Sequence, residues 1–178
     1  GVSPNPKVGM VRKGIALCKR EGIDFILAIG GGSVIDSAKG IGMGVATGRD
    51  PWEFAATGEA PADTLPIATV LTRAASGSDT SNSCVLTHEE TKEKRGITSQ
   101  TNRPRISFLN PENTVSVSKF QTGCGIVDIM MHPLERYLTP QGGESDITDR
   151  LAEGLLIATR DAGRRALANP DDYEARAS

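Results

Sequence analysis

The chain has 178 residues and a formal net charge of −2, and 38% of its residues are hydrophobic, 24% charged and only 4% aromatic. This is the composition of a globular protein that is large enough to bury a core. The chain has no run of Lys or Arg that could follow a phosphate backbone, which argues against nucleic-acid binding. It also has no apolar stretch of the roughly 18 residues that a membrane span needs, which argues against membrane insertion.

The first quarter of the chain predicts an α/β domain. Apolar residues recur with helical spacing over residues 7–21, with Asn5 as a candidate cap and Gly22 as a stop signal. The short apolar run at residues 24–29 predicts a strand buried on both faces of a parallel sheet. Gly30, Gly31, Gly32 and Ser33 follow, and residues 34–45 predict a second helix.

The next part predicts further strands, and the last part predicts helices only. We expect a loop at 49–63, a strand at 65–71, a polar loop at 72–82, a hairpin with strands at 85–87 and 96–98, a strand at 105–109 and a turn at 110–113. Residues 123–138 and 147–168 both have helical periodicity, with no strand between them. We therefore predict a domain boundary near residue 118.

The cysteine pattern predicts a reducing environment. Cys18, Cys84 and Cys124 are odd in number and widely spaced, and no CxxC motif is present. This argues against a disulfide framework and a cysteine zinc site, and it fits a cytoplasmic protein.

The glycine-rich loop after the first strand is a candidate phosphate site. A strand that leads through glycines into a helix directs free backbone N–H groups to one point, where the helix dipole adds positive charge. The alternative is an ordinary tight turn between strand and helix. The hydroxyl groups of Thr72, Ser76, Ser78 and Ser81 could likewise bind phosphate, or simply belong to a polar loop.

Asp128 and His132 are candidate metal ligands. Being four residues apart, they share one face of a helix, and a carboxylate with an imidazole can chelate a divalent metal. A plain hydrogen-bonded pair or a solvated helix face remains possible. Glu135 could support His132 or form a surface ion pair, and Pro133 is expected to kink the helix.

Together these motifs resemble the iron-containing alcohol dehydrogenase family, particularly its butanol-dehydrogenase-like members. The resemblance rests on residues 1–6, 28–39, 76–79 and 125–132 and on Glu135-Arg136-Tyr137, which occur in the family's order. It implies an α/β nucleotide-binding domain of the dehydroquinate-synthase-like kind at 1–118, followed by the beginning of an all-α, metal-binding domain at 119–178.

The resemblance also implies roles for individual residues. Cofactor contacts are expected at Gly31, Gly32, Ser33, Asp36, Thr72, Ser76, Ser81 and Lys94, and metal ligands at Asp128 and His132. The implied activity is interconversion of a small alcohol and an aldehyde or ketone, with NAD(P) and Fe²⁺ or Zn²⁺, in a homo-oligomer. The family's earlier β–α segment and later histidine ligands have no counterpart here, so we expect an incomplete copy that is inactive alone.

Two alternatives remain open at this point. One is a relative of the glycerol dehydrogenases and dehydroquinate synthases, which share the glycine loop and a related metal site. The other is a nucleotide-binding fragment without catalysis.

Overall fold

A computed structural model describes residues 1–139 and 146–178. The chain forms two compact units. The first, called here the α/β unit, comprises Gly1–Leu71 and Gly77–Leu109. The second, the helical unit, comprises Thr72–Ser76 and Asn110–Ser178.

The α/β unit begins with a helix and then alternates strands and helices before it ends in a hairpin and a last strand. Its elements are α1 Val8–Glu21, β1 Ile26–Gly30, α2 Gly32–Thr47, α3 Pro51–Thr57, β2 Ile67–Leu71, β3 Ser83–Thr87, β4 Lys94–Thr98 and β5 Ile106–Phe108. The predicted strands and hairpin are confirmed. The prediction of a loop throughout 49–63 was wrong, because α3 lies within it. Asp50 accepts a hydrogen bond from the Trp52 amide at 3.0 Å and thereby caps this short helix.

The three strands of the main sheet are parallel, in the order β1-β2-β5, and β3 pairs with β4 as a separate antiparallel hairpin. Gly30 at the end of β1 lies beside Leu71 at the end of β2. The carboxyl ends of these strands therefore meet at one edge, which is where open α/β sheets bind ligands.

One face of the main sheet is covered by α2, and the other is exposed. Ala28 and Ile67 pack with Ile35 and Ala38 of α2 in a buried cluster. Side chains that alternate with them point the other way, and Leu27 is 50% and Ile29 60% exposed. The prediction that β1 is buried on both faces was therefore wrong for the described residues, since no element among them covers the second face.

A second core joins α1, α2, α3 and the hairpin. Its buried side chains include Val8, Val11, Met43, Phe54, Leu86 and Ile97. Helix α1 ends as predicted at Gly22, whose left-handed conformation (φ 65°) lets its amide bond to the Cys18 carbonyl. Its beginning differs from prediction, because Lys7 rather than Asn5 is the N-cap.

The helical unit contains α4 Lys119–Leu138, α5 Asp146–Ala168 and α6 Tyr173–Ala177, preceded by a 3₁₀ turn at Pro111–Thr114. The two predicted long helices are confirmed. Helix α4 begins four residues earlier than expected, because the Ser118 hydroxyl accepts a bond from the Gln121 amide. Helix α4 continues through Pro133 to Leu138. None of the described helices is long and apolar enough to cross a membrane.

Candidate functional site

In the glycine loop a single residue, Gly31, separates β1 from α2. Gly30 ends the strand, Gly31 is the N-cap in an extended conformation, and Gly32 and Ser33 already belong to the first helical turn. Gly31 has no side chain to cap the helix, and within the described residues the backbone amides of Gly32 and Ser33 have no hydrogen-bond partner. Free amides at the positive end of a 16-residue helix form an anion site.

Asp36 lies one turn into α2, and both of its carboxylate oxygens are occupied by the protein. Oδ1 accepts a bond from the Ser78 hydroxyl at 2.5 Å, and Oδ2 accepts one from the Val85 amide at 3.1 Å. Burial raises the pKa of Asp36, and the bonds from Ser78 and Val85 oppose this rise. In this structure the carboxylate fastens α2 to the loop before β3 and to β3 itself.

Lys39 is a buried residue for which sequence reasoning gave no role, although it belongs to the stretch that carries the resemblance. Its ammonium donates to the carbonyl oxygens of Ser78, Ser81 and Ser83 at 2.7, 2.9 and 2.8 Å. It also lies 3.1 Å from the Ser78 hydroxyl oxygen. The signal in the sequence was that Asp36 and Lys39 are the two charged residues of the helix predicted at 34–45.

Ser81 and Lys94 both lie in the α/β unit with the glycine loop. The Ser81 hydroxyl accepts a bond from the Ser83 amide at 2.9 Å, which shapes the loop before β3. Lys94 opens β4, is exposed, and donates to the Asn5 side-chain oxygen at 3.2 Å. The Asn5 amide in turn donates to the Ser33 hydroxyl at 3.2 Å. One bridging residue thus connects Lys94 to the glycine loop.

Asn5 was interpreted as a helix cap, and its actual contacts were missed. Its backbone has a left-handed conformation with φ 58°, which asparagine tolerates better than most residues. The preceding turn residues gave no indication of contacts to Ser33 or Lys94.

Thr72 and Ser76 belong to the short segment that groups with the helical unit. Thr72 directly follows β2 in the chain, and neither hydroxyl has a hydrogen-bond partner among the described residues. Thr72 and Ser76 therefore belong to a different unit from the other predicted cofactor contacts, which are Gly31, Gly32, Ser33, Asp36, Ser81 and Lys94.

Asp128 and His132 lie one turn apart on α4, and both are exposed. Neither side chain is hydrogen-bonded or ion-paired within the described ranges. In residues 1–139 and 146–178 no cluster of three or more His, Cys, Asp or Glu could hold a metal. The pair thus offers one oxygen and one nitrogen ligand, which borderline divalent metals accept, but it supplies two of the roughly four ligands of a closed site.

A cavity of about 270 Å³ lies within the helical unit. Its wall is mainly aliphatic, with Ile126, Leu155 and Ala162 among the lining residues, and it also includes Arg73 and Arg176. Neither Asp128 nor His132 lines it, so this cavity is separate from the predicted metal ligands.

Comparisons with known proteins agree on one family. The model of the iron-containing alcohol dehydrogenases matches residues 1–111. A probable NADH-dependent butanol dehydrogenase of Bacillus subtilis is 42% identical over 99% of this chain and 45% of its own length. An NADPH-dependent aldehyde reductase of Escherichia coli is 32% identical, over the whole of this chain and 46% of its own.

Solved structures agree with the sequence comparisons. The crystal structure of an NADH-dependent butanol dehydrogenase from Thermotoga maritima superimposes with a TM-score of 0.94 and 37% identity. The match covers 99% of this chain and 44% of that one. The chain therefore spans a little under half the length of the relatives it matches.

Proposed function

Because this chain belongs to the iron-containing alcohol dehydrogenase family, we propose that it is an incomplete copy of a metal-dependent oxidoreductase. The complete enzyme would interconvert a small alcohol and an aldehyde or ketone with NAD(P)(H), in the cytoplasm and as a homo-oligomer. The α/β part, residues 1–118, would bind the dinucleotide. The helices from residue 119 would begin the metal-binding domain.

One observation carries the proposal: the uncapped start of α2. The amides of Gly32 and Ser33 are free, and Gly31 places no Cβ in front of them. A pyrophosphate bound there would accept from these amides and gain from the helix dipole. Lys94, linked to Ser33 through Asn5, adds a cation on the same side of the unit.

The residues present fit a metal in type but not in number. Asp128 would supply a charged oxygen and His132 a neutral nitrogen, at the i,i+4 spacing that lets both reach one ion. When bound in a complete site, the metal would act as a Lewis acid on the alcohol oxygen. With two ligands on one exposed helix face, this chain should hold a metal weakly, and we propose that it has little dehydrogenase activity alone.

Cofactor choice stays open between NAD and NADP. The relatives bear the names of NADH-dependent and NADPH-dependent enzymes alike. The alternative of a nucleotide-binding protein without catalysis is favoured by the same two-ligand observation. Both readings expect little turnover by this chain alone. An assay with butanol and NAD⁺, with and without Fe²⁺, tests that shared expectation, and robust metal-dependent product formation would contradict it.

The experiment that tests the dinucleotide site is an NADH titration of Ser33→Asp. Aspartate can still accept the Asn5 amide bond and interacts well with a helix start, so the fold should be kept. Its charge would repel a pyrophosphate, and we expect the Kd for NADH to rise about tenfold or more. Ser118→Asp adds the same charge at the start of α4 and is the matched control. Equal affinity in both variants would refute a pyrophosphate site at Ser33.

A further inference from the structure

Lys39 is the largest fully buried side chain of the chain's described part, with 0% of its surface exposed. Its ammonium is enclosed by four oxygen atoms, and all four come from the segment 78–83. Three of the four are backbone carbonyls. The lysine therefore holds the course of the main chain in this segment rather than a particular side chain.

The Lys39 ammonium has three N–H donors for four oxygen atoms, so one of its bonds is shared between two oxygens. The Ser78 hydroxyl donates its proton to Asp36 Oδ1, so its oxygen is free to accept from Lys39. A buried ammonium is costly unless it is paired and hydrogen-bonded. Burial lowers the pKa of Lys39, and the charge of Asp36, three residues earlier on α2, opposes this effect.

Asp36 and Lys39 fasten two parts of the α/β unit to α2. Lys39 holds the segment 78–83, called here the serine loop, which contains Ser81. Asp36 holds the Val85 amide in β3, whose partner strand β4 begins with Lys94. The same helix begins with the free amides of Gly32 and Ser33. The relative positions of glycine loop, serine loop and hairpin thus depend on two side chains of α2.

We propose that Lys39 is a positioning residue for dinucleotide binding: through the carbonyls of Ser78, Ser81 and Ser83 it holds the serine loop and the start of the hairpin at the spacing from the glycine loop that the phosphates need. Because its ammonium is fully enclosed, Lys39 itself touches no ligand. The inference rests on the proposed dinucleotide site and adds the element that aligns its parts.

The competing reading is a buried group that only stabilises the fold. The serine loop has further anchors, since Ser107 donates to the Asp79 carbonyl at 2.6 Å and Arg103 to the Thr80 carbonyl at 2.5 Å. When Lys39 is replaced, these bonds should keep the loop attached while its carbonyls at 78, 81 and 83 lose their common donor. A displaced loop, rather than an unfolded one, is the expected consequence.

The test compares Lys39→Met with Leu86→Ala, a core truncation in β3 that destabilises the same unit and removes none of the cluster's hydrogen bonds. Each variant is measured while fully folded, by hydrogen exchange of the amides from 78 to 85 and by NADH fluorescence titration. We expect Lys39→Met to speed exchange in this segment, to raise the Kd for NADH about tenfold or more, and to move the emission maximum of bound NADH towards that of free NADH. Leu86→Ala should lower the unfolding midpoint and leave affinity and emission unchanged.

Ser78→Ala is the second variant, should Lys39→Met fail to fold. It removes the hydroxyl between Asp36 and Lys39 but keeps the Ser78 carbonyl, so a smaller rise in Kd in the same direction is expected. If Lys39→Met binds NADH as tightly as the unaltered chain does, the role of Lys39 is overturned and the proposed function still stands. Where only Ser78→Ala folds, equal NADH affinity in that variant has the same meaning. Absence of binding of both NADH and NADPH by the unaltered chain would overturn the proposed function, and this inference with it.

Discussion

The Lys94 ammonium donates a hydrogen bond to the side-chain oxygen of Asn5 at 3.2 Å, across 89 residues of sequence. Asn5 also donates its backbone amide to the Ser33 hydroxyl at the start of α2. One residue in a left-handed conformation therefore connects the first turn of the chain, the glycine loop and the hairpin. This bridge aligns the cation of Lys94 with the anion site proposed at Gly32 and Ser33.

Replacing Asn5 with glycine tests this bridge. Glycine adopts the left-handed backbone without strain and keeps the amide that bonds to Ser33, so only the acceptor for Lys94 is removed. We expect the Kd for NADH to rise about threefold, as for the loss of one exposed charge-assisted bond, with little change in the unfolding midpoint. Asn5→Ala should lower the midpoint as well, because alanine is strained at this φ. Unchanged NADH affinity in Asn5→Gly would show that the bridge does not serve the cofactor.

The buried carboxylate of Asp36 predicts a specific dependence of stability on pH. Burial raises its pKa in the folded state above the ordinary 3.8, so the folded chain holds this proton more tightly than the unfolded chain. The contribution of this pKa shift to stability is fully present below pH 3.8, and it is lost as the pH rises through the pKa of Asp36 in the folded state. The unfolding free energy of the unaltered chain, minus that of Asp36→Asn, should therefore fall as the pH rises from about 4. Urea unfolding of both proteins across this range measures it, and a relative gain with rising pH would contradict the prediction.

Gly125 in α4 marks a close approach of two backbones within the helical unit. A Cβ at this position would lie 2.5 Å from the carbonyl oxygen of Ala74, a backbone atom that cannot swing away. Gly125→Ala should destabilise the unit by about 1–3 kcal/mol despite the better helix propensity of alanine. Gly154→Ala in α5 is the matched control: nothing lies within 4 Å of its added Cβ, and it should stabilise by about 0.5–1 kcal/mol. Urea unfolding followed by circular dichroism compares the two, and equal effects would show that Gly125 makes no close approach.

The proposed metal ligands, Asp128 and His132, can be tested without an activity assay. Zn²⁺ titration by calorimetry should show weak binding to the unaltered chain, because the proposed site has two ligands only. His132→Ala should abolish this binding. His88→Ala removes the other histidine of the sequence and should leave it unchanged. Binding that depends on His88 instead would place the metal elsewhere.

Much of the α/β unit could be predicted from sequence because its signals are local. The periodicity of α1, the left-handed stop at Gly22 and the short apolar strands depend on neighbouring residues. Helix α3 was missed although Asp50 and Pro51 form a recognisable start, because Gly58 and Pro61 shortly afterwards favoured a loop. The exposed face of β1 could not be anticipated, because a short apolar run looks the same whether one or both faces are covered.

The site was only partly predictable, since its long-range contacts have no local signature. The glycine loop follows directly from the order of strand, glycines and helix. The contacts of Lys39 with Ser78, Ser81 and Ser83 span about forty residues and depend on how the serine loop folds back over α2. The link from Asn5 to Lys94 likewise requires the hairpin to be in place. Sequence patterns can indicate which residues are chemically capable, whereas the pairing among them is set by tertiary packing.

The central claim, that the α/β unit binds a dinucleotide, is tested most directly by thermal unfolding with and without NADH or NADPH, each with and without Zn²⁺. A ligand that binds only the folded chain raises its stability by mass action, by about 2.7 kcal/mol at a concentration one hundred times its Kd. We expect a higher unfolding midpoint with at least one dinucleotide and little change with Zn²⁺ alone. An unchanged midpoint with both dinucleotides at millimolar concentration would contradict it.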